Sequence, residues 1–176
     1  EAAPGLMAMA AARPLLSIRP ATADDVPLIR QLIAELAEYE RLADAAVATD
    51  DGLRAQLFGA QPAAEVLIGE VDGEPTGFAL FFHNFSTFLG KRGLYLEDLF
   101  VRPAFRGSGL GRHLMASLAR IAVQRDCGRF EWSVLDWNAP AIGFYRTLGA
   151  VGMDEWTVQR VDGEALKALA SQDRGY

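Results

Sequence analysis

The stretch Leu94–Leu114 reads LYLEDLFVRPAFRGSGLGRHL, and it decides the fold class of the chain. Its mostly apolar first part, up to Val101, predicts a strand, and the apolar repeat that starts at Leu110 predicts a helix. The segment Arg106–Arg112, called the glycine turn below, follows the strand after four residues and runs into the first residues of the helix. Its glycines expose backbone N–H groups, which add to the positive end of the helix macrodipole. The stretch therefore predicts a mixed α/β domain whose turn binds an anion of the pyrophosphate type.

The spacing of the glycines decides between three kinds of phosphate-binding turn. A Walker A loop ends in Gly-Lys-Ser/Thr, and the glycine turn contains no lysine. A dinucleotide-binding turn requires Gly-x-Gly-x-x-Gly and an acidic residue near the end of the next strand, but Glu131 begins its strand. The third pattern, Arg/Gln-x-x-Gly-x-Gly, is filled by Arg106, Gly109 and Gly111. Both nucleotide patterns fail, and the third fits.

Hydrophobic periodicity on either side of this stretch predicts the remaining elements. Alternation of apolar residues indicates strands, and repeats of three and four indicate helices. Thr22 and Asp25 have the spacing of a capping box at a helix start, Asp72-Gly73 is a hairpin-turn signal, and Asn138 is expected to cap a later helix. The expected order is β-α-α-β-β-β-α-β-α-β-α, with antiparallel strands first and one parallel βαβ crossover in the middle. The predicted elements are Leu15–Arg19, Thr22–Arg41, Asp50–Phe58, Glu65–Val71, Pro75–Phe82, Gly93–Val101, Gly109–Asp126, Arg129–Leu135, Asn138–Gly149, Trp156–Val161 and Glu164–Ala170.

Composition excludes several classes of protein. The chain has 176 residues, 51% of them hydrophobic and 23% charged, as in ordinary globular domains. The net charge of −6 opposes binding to nucleic acid, and no stretch approaches the roughly 18 apolar residues of a membrane span. Cys127 is the only cysteine, which excludes an internal disulfide and a cysteine-rich zinc site and favours the cytoplasm. We expect neither a nucleic-acid nor a membrane partner.

Length predicts one domain, because domains contain about 100 to 200 residues. We interpret residues 1–13 as a flexible leader, with Glu1–Leu6 as an added remnant and Met7 or Met9 as the natural start. The domain itself is expected over residues 14–170, and residues 171–176 form a C-terminal tail.

Together with the glycine turn, four further stretches resemble the GNAT acetyltransferases, most closely their diamine (spermidine/spermine) and thialysine branch. The resemblance implies a GNAT-type fold: a mixed, mostly antiparallel central sheet with a splayed strand pair and helices on both faces. It also implies a homodimer, with the C-terminal strand and helix as contact elements. The four stretches are Ile18–Thr22, Glu35–Glu40, Tyr95–Val101 and Val134–Tyr145.

The same resemblance implies acetyl-CoA as the cofactor and assigns residues to it. Backbone groups of the splayed strand would hold the pantetheine arm, and the glycine turn would hold the pyrophosphate. Asn138 and Tyr145 match residues beside pantetheine and the thioester sulfur. The implied cofactor residues are Leu99, Phe100, Val101, Arg106, Gly107, Ser108, Gly109, Leu110, Gly111, Arg112, Asn138 and Tyr145.

The implied reaction is direct acetyl transfer to a primary amine. An alkylamine has a pKa of about 10.4 and must lose a proton before it attacks. Glu97, acting through a water, is the candidate base. Tyr145 is the candidate acid for the leaving thiolate, because a tyrosine hydroxyl has an ordinary pKa of about 10. Glu97 and Asp98 are neighbours in a strand, so we expect their side chains on opposite faces.

The amine-binding residues implied by the resemblance are acidic and aromatic: Tyr39, Glu40, Glu97, Asp98, Ser86 and Phe88. Two of these positions depart from the relatives, which place aspartate where Ser86 stands and tryptophan where Phe88 stands. The segment Lys91–Gly93 is also one residue longer and adds positive charge. These changes disfavour a long polyamine and favour a smaller amine with its own carboxylate, such as an amino acid; polyamines and thialysine or other lysine-like compounds stay as candidates.

Other hypotheses remain open. The chain could be a catalytically silent acyl-CoA-binding or sensor module, a protein-lysine acetyltransferase, or a nucleotide-dependent oxidoreductase. No metal site is expected, because His83 and His113 lack acidic partners at ligand spacing. A solvated or hydrogen-bonded role is expected for both histidines. Cys127 lacks an evident base in the sequence and is interpreted as structural.

Overall fold

The computed structural model describes residues 12–175, and its strands form one five-stranded sheet in the order of the chain. The elements are β1 (Leu16–Pro20), α1 (Val26–Tyr39), α2 (Asp50–Phe58), β2 (Glu65–Val71), β3 (Glu74–Ser86), β4 (Lys91–Val101), α3 (Leu110–Gln124), β5 (Phe130–Trp132), α4 (Ala139–Thr147) and α5 (Gly163–Ala170). The described residues up to Ser133 form one unit that contains the whole sheet, and those from Val134 onward form a second unit with α4 and α5.

The sheet has the predicted mixed topology. Strands β1 to β4 pair antiparallel, and β4 pairs parallel with β5 after the crossover through α3. Asp72 and Gly73 turn the chain between β2 and β3 with φ of 51° and 81°, the left-handed backbone of a two-residue hairpin turn. The fold class and the single βαβ crossover are therefore confirmed.

Helices α1 and α2 cover one face of the sheet. Thr22 and Asp25 form a capping box at the 3-10 turn that leads into α1, as the sequence predicts. The helical repeat then buries one stripe of α1 completely, while Ile33 at its margin is half-buried. The core cluster of this face consists of Ile29, Leu32, Leu36, Leu57, Val66, Ile68, Phe78 and Phe100.

Helix α3 packs on the opposite face. Gly69 follows Ile68 in β2 and so points away from the α1 face. A Cβ at Gly69 would lie 3.0 Å from Cδ1 of Leu110, the first residue of α3. Leu110 is 1% exposed, so the helix start cannot withdraw without opening the core. This close approach fixes the glycine turn, which ends at α3, relative to the sheet.

The prediction of a strand at Trp156–Val161 is wrong. The structure forms no strand there, and the side chains of Trp156 and Val158 are each 79% exposed. Apolar alternation predicts a strand only where a neighbouring strand offers backbone partners, and the described part of this unit contains none. Strand β5 is also shorter than the predicted Arg129–Leu135, whereas β3 runs on to Ser86 instead of ending at Phe82.

The boundaries of the remaining elements agree closely with those predicted from the sequence. Helix α1 ends at Tyr39, two residues before the predicted end, because Arg41 adopts a left-handed φ of 61°. Residues 1–11 of the predicted leader and Tyr176 of the predicted tail lie outside the described residues. Within the described residues, no helix has the length and apolar character needed to cross a membrane.

Candidate active site

The glycine turn presents unpaired backbone donors at the start of α3. Gly107 and Gly109 have φ of 82° and 92°, and Gly109 is the N-cap of the helix. The N–H groups of Gly107, Gly109 and Gly111 donate no hydrogen bond to other residues of the described range 12–175. A Cβ at Gly107 would meet nothing within 4 Å, so the outer side of the turn is open. Unpaired donors beside open space are the features that an anion site requires.

Strand β4 extends past its parallel partner. The ladder with β5 joins only Leu94–Leu96 to Phe130–Trp132, whereas β4 continues to Val101. On its other side β4 stays paired with β3 as far as Val101. The edge of β4 from Glu97 to Val101 therefore lies beyond the β5 ladder, at the place where the resemblance implies a splayed strand pair. Phe100 is 4% exposed with its side chain in the core, so that side chain is not available to a ligand at this edge.

Arg106 begins the glycine turn, and its guanidinium lies against α1. The Cζ atom of Arg106 is 4.5 Å from the ring centroid of Tyr39 and 5.8 Å from that of Phe100. Its Nε donates to the carbonyl oxygen of Val101 at 3.1 Å. The side chain thus connects the turn to the end of β4 and to the last residue of α1. Sequence reasoning missed this contact, because 67 residues separate Tyr39 from Arg106 and no local pattern links them.

Arg102 makes a second link between the end of β4 and α1. Its Nε and Nη2 donate to the two carboxylate oxygens of Glu35 at 2.9 and 3.0 Å. Its Nη1 also donates to the carbonyl oxygen of Pro75 at 3.3 Å. Glu35 is consequently neutralised by a structural ion pair and does not contribute free charge to an acidic rim.

Three carboxylates, Glu40, Glu97 and Asp98, form the carboxylate cluster. Asp98 pairs with Leu80, two residues along from the core pair Phe78 and Phe100, and so lies on the α1 face. Burial raises the pKa of Asp98 to about 6, with further contributions from the charges of Glu97 and Glu40. Burial also raises the pKa of Glu40. A half-buried acidic group of this kind attracts a cation such as an alkylammonium.

Glu97 occupies an irregular position in β4. Leu80 pairs with Asp98 and Phe81 pairs with Leu96, which leaves Glu97 as an extra residue in the ladder. Such a bulge interrupts the strict alternation of side chains. The alternation on which the sequence expectation of opposite faces for Glu97 and Asp98 depends is therefore interrupted at this point. Glu97 is exposed to solvent, and its charge acts on the half-buried Asp98.

The structure does not bring Ser86 and Phe88 to the carboxylate cluster of the same chain. Ser86 ends β3, six residues beyond Leu80, roughly 20 Å along the strand. The Ser86 side chain is buried, and its Oγ accepts from the N–H of Leu89 at 3.2 Å, which closes the hairpin. Phe88 is fully exposed at the hairpin tip.

The other two predicted cofactor contacts lie in the second unit. Asn138 is the N-cap of α4, and its Oδ1 accepts from the N–H of Ala141 at 3.3 Å. Its side chain is 7% exposed. Tyr145 lies seven residues further along the chain, inside α4, with its ring 5.5 Å from that of Phe144. The structure thus confirms that Asn138 caps the helix, and it places Tyr145 on that helix.

Cys127 has a histidine neighbour that the sequence did not indicate. Its Sγ lies 3.8 Å from Nδ1 of His83, but that nitrogen also lies 2.9 Å from the carbonyl oxygen of Gly93. Arg125 donates to the other ring nitrogen of His83 at 2.9 Å. Both nitrogens are engaged, so the histidine is not available as a base for the thiol. Among residues 12–175, no group of three or more His, Cys, Asp or Glu side chains is arranged to hold a metal ion.

The amino-acid sequence is similar to a family model and to characterised proteins. A family model described as "Acetyltransferase (GNAT) family" matches residues 29–150. The chain is 39% identical over 166 residues to thialysine N-epsilon-acetyltransferase of Sus scrofa, covering 88% of this chain and 97% of the relative. It is 35% identical over 197 residues to L-ornithine N5-acetyltransferase NATA1 of Arabidopsis thaliana, covering 86% of each.

Solved structures share the fold. An integron cassette protein from the mobile metagenome of V. cholerae superposes with a TM-score of 0.76 at 28% identity, covering 89% of this chain and 98% of that one. A possible acetyltransferase from Clostridium difficile 630 superposes with a TM-score of 0.71 at 18% identity, covering 85% of this chain and 98% of that one. The second likeness is one of fold alone.

Proposed function

The chain belongs to the GNAT acetyltransferase family and acts as an N-acetyltransferase of small-molecule amines; we propose that acetyl-CoA is its acyl donor and a small amino acid with a side-chain amine its acceptor. One observation carries the proposal. The unpaired N–H groups of the glycine turn follow the strand that bears Glu97 and Asp98, with only Arg102 and the 3-10 turn Pro103–Phe105 between them. This order supports an anion site and a cation site close together along the chain.

The residues present fit coenzyme A. The donors of Gly107, Gly109 and Gly111 and the open space beside Gly107 suit a diphosphate. The edge of β4 from Leu99 to Val101, beyond the β5 ladder, offers backbone groups to the amide-rich pantetheine arm. When bound, acetyl-CoA supplies the acetyl group as an activated thioester.

The carboxylate cluster serves the amine. Asp98 and Glu40 bind the ammonium form, because a carboxylate placed in partly buried surroundings attracts an opposite charge strongly. Glu97 is exposed and accepts the proton of the amine through water, so that the nitrogen attacks as the free base. Tyr145 then donates its hydroxyl proton to the leaving sulfur. These roles are our proposal for each side chain.

The acceptor class follows from two lines of support. The relatives named above act on thialysine and on ornithine by their names, and both compounds are amino acids with a side-chain amine. Ser86 and Phe88, which would reach a carboxylate cluster only from a second copy of the chain, replace the acidic and larger aromatic residues that the resemblance associates with polyamines. We therefore place lysine-like and ornithine-like amino acids ahead of spermidine and spermine.

Assembly and location belong to the same proposal. The second unit exposes large apolar side chains, which a second copy of the chain would cover in a homodimer. The exposed residues include Val151, Met153, Trp156, Val158 and Val161. Light scattering tests this, since a monomer would contradict it. The single cysteine fits a reducing compartment, and we propose the cytoplasm.

The function is tested by release of free thiol from acetyl-CoA with a panel of amines. The panel contains lysine, thialysine, ornithine, spermidine and a lysine-containing peptide. We expect kcat/KM for the free amino acids to exceed that for spermidine at least tenfold. Binding of acetyl-CoA without thiol release from any amine would identify a silent acyl-CoA-binding module, and release with the peptide alone would identify a protein acetyltransferase.

A further inference from the structure

We propose that Tyr39 is a positioning residue for the glycine turn, acting through Arg106, and that its ring sets the affinity for the diphosphate of coenzyme A. This inference rests on the proposed function and deepens it. The resemblance assigns Tyr39 to the amine, whereas the contacts of its ring point to the other substrate.

The geometry gives the guanidinium of Arg106 a fixed place. Its Cζ atom lies over the ring of Tyr39, 4.5 Å from the centroid and within the range of a cation–π contact. The Nε atom donates to Val101 at 3.1 Å, which orients the plane of the group. Arg106 is exposed, and an exposed arginine held only by one hydrogen bond would sample many rotamers. The ring of Tyr39 therefore restricts the side chain that begins the turn.

The same face of α1 contacts the two arginines that flank the 3-10 turn before the glycine turn. Glu35 and Tyr39 are four residues apart and so lie on one side of the helix. Their partners, Arg102 and Arg106, are also four residues apart and enclose the 3-10 turn Pro103–Phe105. The helix thus fixes the chain on both sides of this 3-10 turn, immediately before the N–H donors of Gly107 and Gly109.

This arrangement has a specific consequence for binding. A turn held in place before the ligand arrives loses less conformational freedom on binding, and its affinity for the diphosphate is higher. The contact with Arg106 is made by the ring of Tyr39, so a phenylalanine ring can make the same contact. The amine site, formed by the carboxylate cluster, does not depend on this contact.

The test measures the affinity for coenzyme A by calorimetry in Tyr39→Phe and Tyr39→Leu, together with the KM for the amine. Coenzyme A without the acetyl group reports binding with no turnover. We expect Tyr39→Leu to weaken coenzyme A binding about five- to tenfold and to change the amine KM less than twofold. Tyr39→Phe should bind within twofold of the unchanged protein. Glu40→Gln is the matched control, and it should raise the amine KM and leave coenzyme A binding unchanged.

A double-mutant cycle with Arg106→Met isolates the contact. If Tyr39 acts through Arg106, Tyr39→Leu weakens coenzyme A binding no further once Arg106 is methionine. The inference is overturned if Tyr39→Leu binds coenzyme A normally, if Tyr39→Phe loses as much affinity as Tyr39→Leu, or if the two losses are additive. Failure of the unchanged protein to bind coenzyme A would overturn the proposed function first, and this inference with it.

Discussion

Arg102 and Glu35 form a two-point ion pair that joins the end of β4 to the middle of α1, with N–O distances of 2.9 and 3.0 Å. The pair is partly buried, with 23% and 30% of the two side chains exposed. Paired charges in such surroundings are worth more than surface pairs, and removal of one partner leaves the other uncompensated. The contact holds the helix that carries Tyr39 and Glu40 beside the strand that carries Asp98.

Replacement of Glu35 by glutamine should therefore destabilise the protein by about 1 to 2 kcal/mol. The reason is that Arg102 loses its countercharge while the side chain keeps its volume. Differential scanning fluorimetry should show a fall in Tm of roughly 3 to 6 °C. Glu38→Gln, an exposed position on the same helix, is the control and should leave Tm unchanged. Equal melting of the two variants would show that the ion pair contributes nothing to stability.

Asp98 predicts a pH-dependent stability. Its pKa is about 6 in the folded protein against an ordinary value of 3.8, mainly through burial. The folded state therefore binds more protons between these values, and the free energy of unfolding falls as the pH rises from about 4 to about 6. Above pH 6 the ionised carboxylate opposes folding fully.

The substitution Asp98→Asn should consequently raise Tm at pH 8 by about 5 °C and change it little at pH 4. Thermal unfolding at both pH values measures this. Asp136→Asn, at an exposed aspartate, is the control and should show no such pH-dependent gain. A gain of the same size at pH 4 and pH 8 would mean that the carboxylate is not the cause.

Gly107 tests the role of the turn without a change of charge. Gly107 and Gly73 have φ of 82° and 81°, and a Cβ at either would meet nothing within 4 Å. Alanine at either position should cost about 1 to 2 kcal/mol of stability, because an L-residue disfavours this backbone conformation. Only Gly107→Ala should also weaken coenzyme A binding, by at least about tenfold, since a methyl group then occupies the open side of the turn. Calorimetry that finds the same affinity in both variants would place the diphosphate elsewhere.

Tyr145 carries the proposed proton donation to sulfur. The variant Tyr145→Phe removes only the hydroxyl group and should lower kcat roughly 100-fold or more. Affinity for coenzyme A and Tm should change little. Steady-state kinetics with the best amine of the panel give the answer. Near-normal turnover would remove Tyr145 from acid catalysis and leave the thiolate to depart unaided.

Local patterns predicted the elements that set up the site. Three features depend only on residues close together in the sequence, and each was predicted correctly. They are the capping box at Thr22 and Asp25, the apolar repeat of α3 and the turn at Asp72–Gly73. The strand expected at Trp156–Val161 failed, because pairing depends on a neighbour that the sequence pattern does not reveal.

Long-range contacts were not predictable in the same way. Each of the contacts Glu35–Arg102 and Tyr39–Arg106 joins residues 67 positions apart, and charge or aromaticity alone did not select the partner. The bulge at Glu97 depends on the register between β3 and β4, which neither strand encodes by itself. The sequence thus indicated candidate residues for the chemistry, and the pairing of elements determined how those residues are held.

The most direct test of the central claim is the thermal stability of the unchanged protein with coenzyme A, with pantetheine, which lacks the diphosphate, and with NAD. If the glycine turn binds the diphosphate of coenzyme A, a coenzyme A concentration of 100 times its dissociation constant should stabilise the fold by about 2.7 kcal/mol. Pantetheine at the same concentration should stabilise it far less, and NAD not at all. Stabilisation by NAD but not by coenzyme A, or equal stabilisation by pantetheine and coenzyme A, would contradict the assignment of the turn.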